Sequence, residues 1–189
     1  TVATVEYGGV RFTRITLEDC LPLAQRLQAA GGGWHSHVLS PGCRHNPFPD
    51  HYAVVIEDDG AAIAHIAEGT QAFPEVDKAL VKMLHGDDIL DAAALTGAGG
   101  DCALLHQLQD VQAQGVAWHH HMHFPDCVFN PHPGDWSIAV ETPTGAFSEA
   151  FPAEPVDVLR AVEVLYFGNL AARESEARES GARESGARE

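Results

Sequence analysis

The chain has 189 residues, of which 27 are acidic and 11 basic, and its formal net charge at pH 7 is −16. This length allows one domain with a full hydrophobic core, or two small halves that share an interface. The sequence holds no basic stripe, so we expect neither nucleic acid nor an anionic membrane surface as a partner, and no apolar run is long enough to span a membrane.

The first half of the chain predicts a hairpin, a helix, three more strands and a second helix. The hairpin turns at the pair Gly8-Gly9. A proline-rich segment at 40–51 follows the third strand, and its NPFP sequence predicts a rigid loop. The expected ranges are strands at Thr4–Tyr7, 10–13, Trp34–Leu39, 52–57 and 61–67, with helices at 16–30 and 74–86.

The second half predicts the same order from its first helix onward. We expect a helix at 101–114, strands at 118–124, 136–141 and 146–151, and a last helix at 155–167. Residues 87–100 form a linker or extend the preceding helix. The motif ARES starts at residues 172, 177 and 182 and has no apolar face. It predicts a solvated, fraying helix or a disordered tail, without chemistry of its own.

Two segments, 34–57 and 118–141, align without a gap at an offset of 84 residues, and nine of their 24 positions are identical. We therefore predict an α+β fold of two tandem repeats, each with a helix, antiparallel strands and a helix, packed about a pseudo-two-fold axis. Repeat 1 spans 1–86 and repeat 2 spans 101–170, joined by the linker at 87–100 into one compact domain and followed by the tail at 171–189. The identical pairs are Trp34/Trp118, His35/His119, His37/His121, Pro41/Pro125, Cys43/Cys127, Asn46/Asn130, Pro47/Pro131, Pro49/Pro133 and Glu57/Glu141.

Each repeat carries a His-x-His on a predicted strand. Residues two apart on a strand face the same side, so His35 and His37 point together. His119, His121 and His123 do the same in the second repeat. If the two strands lie side by side in one sheet, four imidazoles converge on the pseudo-two-fold axis, and neutral imidazole binds zinc, iron, nickel and copper. His123 stands where the first repeat has a leucine, and it is a fifth candidate ligand.

Cys43 and Cys127 give both repeats the spacing H-x-H-x5-C. One interpretation is a separate His₂Cys zinc site in each repeat, and the alternative is a small buried side chain beneath the proline loop. The histidines also have a structural alternative, as a cluster that only titrates near neutral pH. Because the four cysteines lack CxxC spacing and Thr1 opens no signal-peptide pattern, we expect reduced thiols and a cytoplasmic location.

Three residues are candidates for moving protons beside such a metal. Glu57 and Glu141 end the strands after the proline loops, where each serves as a general base or bonds a ligand imidazole. Glu57 precedes two aspartates and has the alternative of a solvated strand end. His120 faces away from the other histidines of its strand, which predicts a polar core position or a role in a second site.

These patterns together predict a metal-dependent enzyme that acts on a small molecule. A divalent transition metal at the repeat interface, zinc before iron(II), activates water for hydrolysis, hydration or elimination. Two alternatives remain open: a non-haem iron oxygenase at the same histidines, and a metal buffer, chaperone or sensor without catalysis. A homo-oligomer is compatible with the sequence. The tandem element order resembles that of the vicinal-oxygen-chelate metalloenzymes, but their ligands usually lie elsewhere, and we assign the chain to no family.

Overall fold

The structure is a computed structural model that describes residues 3–91 and 102–186. Over these residues the chain forms a mixed α+β fold with eight strands and four helices. In chain order they are β1 (Thr4–Tyr7), β2 (Val10–Arg14), α1 (Leu17–Ala29), β3 (Trp34–Leu39), β4 (Tyr52–Asp58), β5 (Ile63–Gly69), α2 (Pro74–His85), α3 (Ala103–Ala113), β6 (His119–His123), β7 (Trp136–Thr142), β8 (Gly145–Phe151) and α4 (Val156–Gly186).

The described strands form two sheets. The first has the order β1-β2-β5-β4-β3, in which only β2 and β5 are parallel neighbours, and the second has the antiparallel order β6-β7-β8. β3 and β6 are therefore edge strands of different sheets, and they lie against each other. We expected both strands in one sheet, and that prediction is wrong. Each His-x-His strand pairs only with the strand that follows its own proline loop.

Each sheet buries one apolar face under helices. In the first sheet, Ile56 of β4 packs in one cluster with Ala24 of α1. In the second, Val140 of β7 packs in one cluster with Leu108 of α3 and with α4. The opposite face of the first sheet is covered by Phe129, which belongs to the loop after β6. The second proline loop therefore packs on the first sheet, and its Phe129 contacts His37 of β3.

Local sequence fixes the ends of several elements as predicted. Gly8 and Gly9 take φ values of 58° and 81°, the left-handed region that the two-residue hairpin turn requires. Before α1, the backbone N–H of Thr16 donates to the Asp19 carboxylate at 3.4 Å, as in a capping box. α2 begins at Pro74, where the missing N–H has no intrahelical partner to lose.

α4 continues past the predicted end at residue 167 and includes the ARES motifs as far as Gly186. Residues 171–182 of this helix are exposed, so they form the solvated helix that was one of the two expected forms of the tail. Residues 92–101, which hold most of the predicted linker and the predicted start of α3, lie outside the described residues. The division into two repeats stays a prediction. No described helix combines the length and the apolar character needed to cross a membrane.

Removing residues 171–189 should change the free energy of unfolding by less than about 0.5 kcal/mol, because the described part of the tail buries no side chain against the body. Urea unfolding followed by circular dichroism measures this. Leu159→Ala on the same helix is the positive control, since this side chain is 1 % exposed in the core and its loss should cost about 2–5 kcal/mol. A truncation cost near that of the control would contradict the prediction.

Candidate metal centre

The two His-x-His motifs lie on the facing edge strands, and each has a glutamate beside it. In the first sheet, His35 of β3 is the ladder partner of Glu57 on β4. In the second, His119 of β6 is the ladder partner of Glu141 on β7. Because directly opposed residues place their side chains on the same face of a sheet, each pair of imidazoles gains a carboxylate.

Site 1 consists of His35, His37, Glu57 and Cys127, all of them buried. The Glu57 carboxylate contacts His35 Nε2, and its Oε2 atom lies 3.4 Å from His37 Nε2. Cys127 Sγ also lies 3.4 Å from His37 Nε2. One donor atom from each of the four residues lies within 4.8 Å of all the others. His35 also bonds both Glu57 and Cys127, and we take His37, whose side chain is 0 % exposed, as the central imidazole of the cluster.

Site 2 consists of Cys43, His119, His121 and Glu141, and its donor atoms also lie within 4.8 Å of one another. Glu141 Oε2 lies 2.8 Å from His119 Nε2 and 3.7 Å from His121 Nε2. Cys43 Sγ lies 3.5 Å from His121 Nε2. Three of the four residues are buried, and His119 is half-buried. The two sites adjoin, because the rings of His37 and His121 have centroids 6.0 Å apart.

The spacing of the donors matches the edges of a tetrahedron around one ion. With Zn–N or Zn–O bonds of about 2.0–2.1 Å and Zn–S bonds of about 2.3 Å, a tetrahedral ion separates its donors by about 3.3–3.6 Å. The separations from the central imidazole are 3.4 and 3.4 Å at His37, and 3.5 and 3.7 Å at His121. The N···O separations among them exceed the roughly 2.7–3.2 Å of a good hydrogen bond. The outer imidazoles lie closer to their glutamates. Around an ion, His119 would move from Glu141 by about half an ångström and His35 from Glu57 by more than about 1 Å.

Each site takes its cysteine from the other half of the chain. Cys43 follows β3 yet completes site 2, and Cys127 follows β6 yet completes site 1. The structure therefore has neither the single centre of four imidazoles nor the H-x-H-x5-C site within one repeat that the sequence suggested. The physical reason is distance along the chain. Cys43 stands six residues beyond His37, past the end of β3. The loop that carries it contacts His121 of β6 through Cys43 and His45.

Two asparagines fix the loops that carry the cysteines. Asn46 Nδ2 donates to the carbonyls of Ser40 and His51, and its Oδ1 accepts from the N–H of Phe48. Asn130 makes the equivalent bonds in the second loop, at 2.7–3.0 Å. These bonds support the expectation of rigid NPxP loops, and the rigidity itself stays a prediction. Each cysteine lies in a loop that its own asparagine bonds at three points.

Attraction between the carboxylate and the imidazoles dominates the electrostatics of site 1. Burial opposes ionisation of Glu57, but its bonds to His35 and His37 hold the pKa of the carboxyl well below its usual range. Burial also opposes a charged His35, yet Asp59, with the cysteine and the glutamate, raises its pKa to about 11. At Cys127, burial raises the thiol pKa, but the imidazoles of His37 and His35 together outweigh it, so the pKa is lowered. The glutamate and cysteine thus favour the anionic forms that bind a cation.

The surroundings of the two sites differ. Asp59 Oδ1 lies 2.7 Å from His35 Nδ1 at site 1, where a carboxylate orients the ring and makes it a better ligand. At site 2, Arg44 Nε lies 3.4 Å from Glu141 Oε1, so one cation already faces the carboxylate. Burial, with the nearby Glu141, raises the pKa of Cys43 to about 12. The two sites therefore differ in the charges around them, and an ion at site 1 must displace the proton that the raised pKa holds on His35.

His123 belongs to the surroundings of site 1. Its Nδ1 lies 3.5 Å from Cys127 Sγ, and its ring centroid lies 5.5 Å from that of His37. Burial, together with the imidazoles around it, holds the pKa of His123 well below its usual range, so the ring is neutral. A neutral N–H beside the sulfur is able to donate to a thiolate. That His123 is itself a ligand stays a prediction.

His120 lies apart from both sites, as its position on the strand predicted. Its Nε2 is 2.9 Å from Glu163 of α4, and its ring packs on Tyr166. A cavity of about 30 Å³ lies between this pair, Asp77 of α2 and the back of the metal-site imidazoles. A space of this size holds a single water. A catalytic role for His120 stays a prediction.

The sequence did not identify four charged residues around the sites. Asp59 lies in an acidic turn that the sequence predicts to be solvated, so its contact with His35 was not expected. Arg44 lies close to Glu141 because the loop after β3 packs on the β6 side of the molecule. Asp77 and Glu163 are isolated acids on helices that read as amphipathic. The one sequence signal that could have identified Asp77 and Glu163 is an acidic residue on the apolar face of a predicted helix, where its side chain would be buried. Comparison with known protein families, curated proteins and solved structures finds no match for this chain.

Asn130→Ala should destabilise the metal-free protein by about 2–4 kcal/mol, because two backbone carbonyls and an N–H lose their buried partner. Denaturant unfolding measures the loss. Asn169→Ala, the same substitution on the less buried part of α4, should stay within about 0.5 kcal/mol of the parent. Equal effects of the two substitutions would show that the asparagine does not hold the loop.

Arg44→Ala should tighten metal binding at site 2 by about two- to fivefold, because it removes the cation beside Glu141, and exposed charge pairs contribute modestly. Titration of zinc against a chromophoric chelator measures the affinity of each site. Arg26→Ala on α1 removes the same charge away from the donors of both sites and should leave both affinities unchanged. Weaker zinc binding in Arg44→Ala would refute the role given to this guanidinium.

Proposed function

We propose that this protein binds two transition-metal ions, one at site 1 and one at site 2, with zinc as the first choice and iron(II) as the second. Each ion is held by two imidazoles, one carboxylate and one thiolate. Imidazole and thiolate together select zinc and other transition metals over calcium or magnesium, which prefer oxygen donors. The single observation that carries the proposal is that two imidazoles, one carboxylate and one thiol bring their donor atoms within 4.8 Å of one another, twice over.

Four protein donors per ion fill a tetrahedral coordination shell, which is the arrangement of structural rather than catalytic zinc. Because the cysteines are crossed, each ion would link parts of both sheets. An ion at site 1 joins β3 and β4 to the loop after β6, and an ion at site 2 joins β6 and β7 to the loop after β3. The binding free energy of both ions therefore stabilises the contact between the two sheets.

A second candidate is the water-activating metalloenzyme that the sequence suggested, now placed at site 1. Glu57 Oε1 has no hydrogen-bond partner among the described residues, and Glu57 lines a surface cleft of about 330 Å³. In this candidate His35, His37 and Cys127 would hold the ion, which would supply an activated water, and Glu57 would act as the general base. An iron oxygenase at the same position differs in requiring O₂, so anaerobic assay separates the two.

Elemental analysis of protein purified without a histidine tag tests the proposal. The parent should hold two metal equivalents per chain, and His35→Ala and Cys127→Ala should each hold one. The double variant His35→Ala/Cys127→Ala should also hold one, because both residues belong to site 1. His35→Ala/Cys43→Ala should hold none, because it removes one donor from each site.

The two double variants together decide how the cysteines are shared. If each cysteine served its own repeat, their metal contents would be exchanged. Cys102→Ala is the control for loss of a thiol, since Cys102 contacts Glu149 and belongs to neither site. A parent protein without bound metal, after growth and purification in zinc, would sink the proposal. A parent with one equivalent, and single variants that each hold none, would indicate one shared centre instead.

A further inference from the structure

A surface cleft lies beside site 1, between the two halves of the chain. Its volume is about 330 Å³, at the lower end of the range for small-molecule pockets. Residues of the β1–β2 turn, of the β4–β5 turn and of the loop after β6 line it. Site 1 is built from the same β4 and the same loop, so the cleft and the metal site share two of their walls. We call it the acidic cleft.

Carboxylates dominate the charge of the acidic cleft. Asp58, Asp59 and Asp126 line its walls, and Glu57 lies at its inner end. Arg11, the basic residue of the lining, has its guanidinium bonded to Glu6 at 2.5 and 2.8 Å, so its charge is already matched. Because His35 faces both Glu57 and Asp59, the surplus negative charge of the cleft rests on Asp58 and Asp126.

Glu57 supplies an independent sign of a missing partner. It is 7 % exposed, and its Oε1 has no hydrogen-bond partner within the described ranges. A buried carboxylate oxygen without a donor costs free energy unless something satisfies it. Oε2 faces the two imidazoles of site 1, and Oε1, which is itself buried, is left without a donor beside the cleft.

The acidic cleft also has an apolar part. Ile63 and Val128 line it, and both are among the large apolar side chains that the described structure leaves exposed, at 45 % and 63 %. Val10 and Ala64 extend this surface between the two halves. An occupant thus meets carboxylates and aliphatic side chains within one volume of small-molecule size.

We propose that the acidic cleft binds a small organic cation, a primary ammonium carried on an aliphatic chain. The ammonium donates three hydrogen bonds and carries its charge at pH 7, which suits the carboxylates near Glu57. The aliphatic chain covers Ile63 and Val128, and removes their apolar surface from water. This binding goes beyond the holding of metal ions. If site 1 activates water, as in the second candidate function, the organic cation is the substrate class of that site. If site 1 is structural, the proposed binding still rests on the residues that line the cleft.

Hexylamine is the probe that tests the proposal, in calorimetric titrations of the zinc-loaded protein at pH 7. It should bind saturably, with 1-hexanol and hexanoate at least tenfold weaker, because they keep the chain but lack the positive charge. Asp58→Asn/Asp126→Asn should weaken hexylamine binding by about three- to tenfold. Asp110→Asn, on α3 and outside the cleft, should leave it unchanged.

Two substitutions at Val128 test the cleft without disturbing the fold, since this side chain is 63 % exposed and its replacement should not affect the core. Val128→Lys places a rival ammonium in the cleft and should abolish hexylamine binding, whereas Val128→Gln, similar in size and uncharged, should weaken it only a fewfold. Zinc content, measured on the same samples, keeps the two proposals distinct. Binding that is equal for amine and alcohol, or that survives Val128→Lys, overturns the cleft assignment even when both metal equivalents are present. Loss of zinc with retained hexylamine binding overturns the metal assignment alone.

Discussion

The constraint on which the rest of this structure depends is the meeting of two sheet edges. β3 and β6 each have a bonded neighbour on one side only, and the space between them is filled with imidazoles, carboxylates and thiols instead of a backbone ladder. Burying so many polar groups is costly unless each finds a partner of opposite charge. The crossed loops answer this need, because each delivers a sulfur to the imidazoles of the facing edge and covers the donors from solvent.

The local structure was largely predictable because it depends on neighbours in the chain. The hairpin turn at Gly8-Gly9, the start of α2 at Pro74 and the NPxP loops all follow from residues within a few positions. The face shared by His35 and His37 follows from strand geometry alone. The sequence repeat also identified both cysteines and both glutamates as residues of interest before any contact was known.

The pairing of these residues was not predictable, because it is set by long-range packing. Sequence spacing favours joining Cys43 to its own His-x-His, whereas the sulfur lies 3.5 Å from His121. The sequence predicted Glu57 as a general base or as a solvated strand end. Its contact with His35 depends on the register of the β3–β4 ladder, which joins residues far apart in sequence. The contrast between Asp59 at one site and Arg44 at the other likewise appears only once the loops have crossed.

The crossed cysteines have a consequence for assembly. Each site is completed by contacts between the β3 side and the β6 side of the molecule. Neither side alone brings all four donors of a site together, so no site is complete until the two sheet edges have met. An ion that needs all four donors can then act only on a chain that has already assembled this far, as a clasp on the finished fold and not as its nucleus.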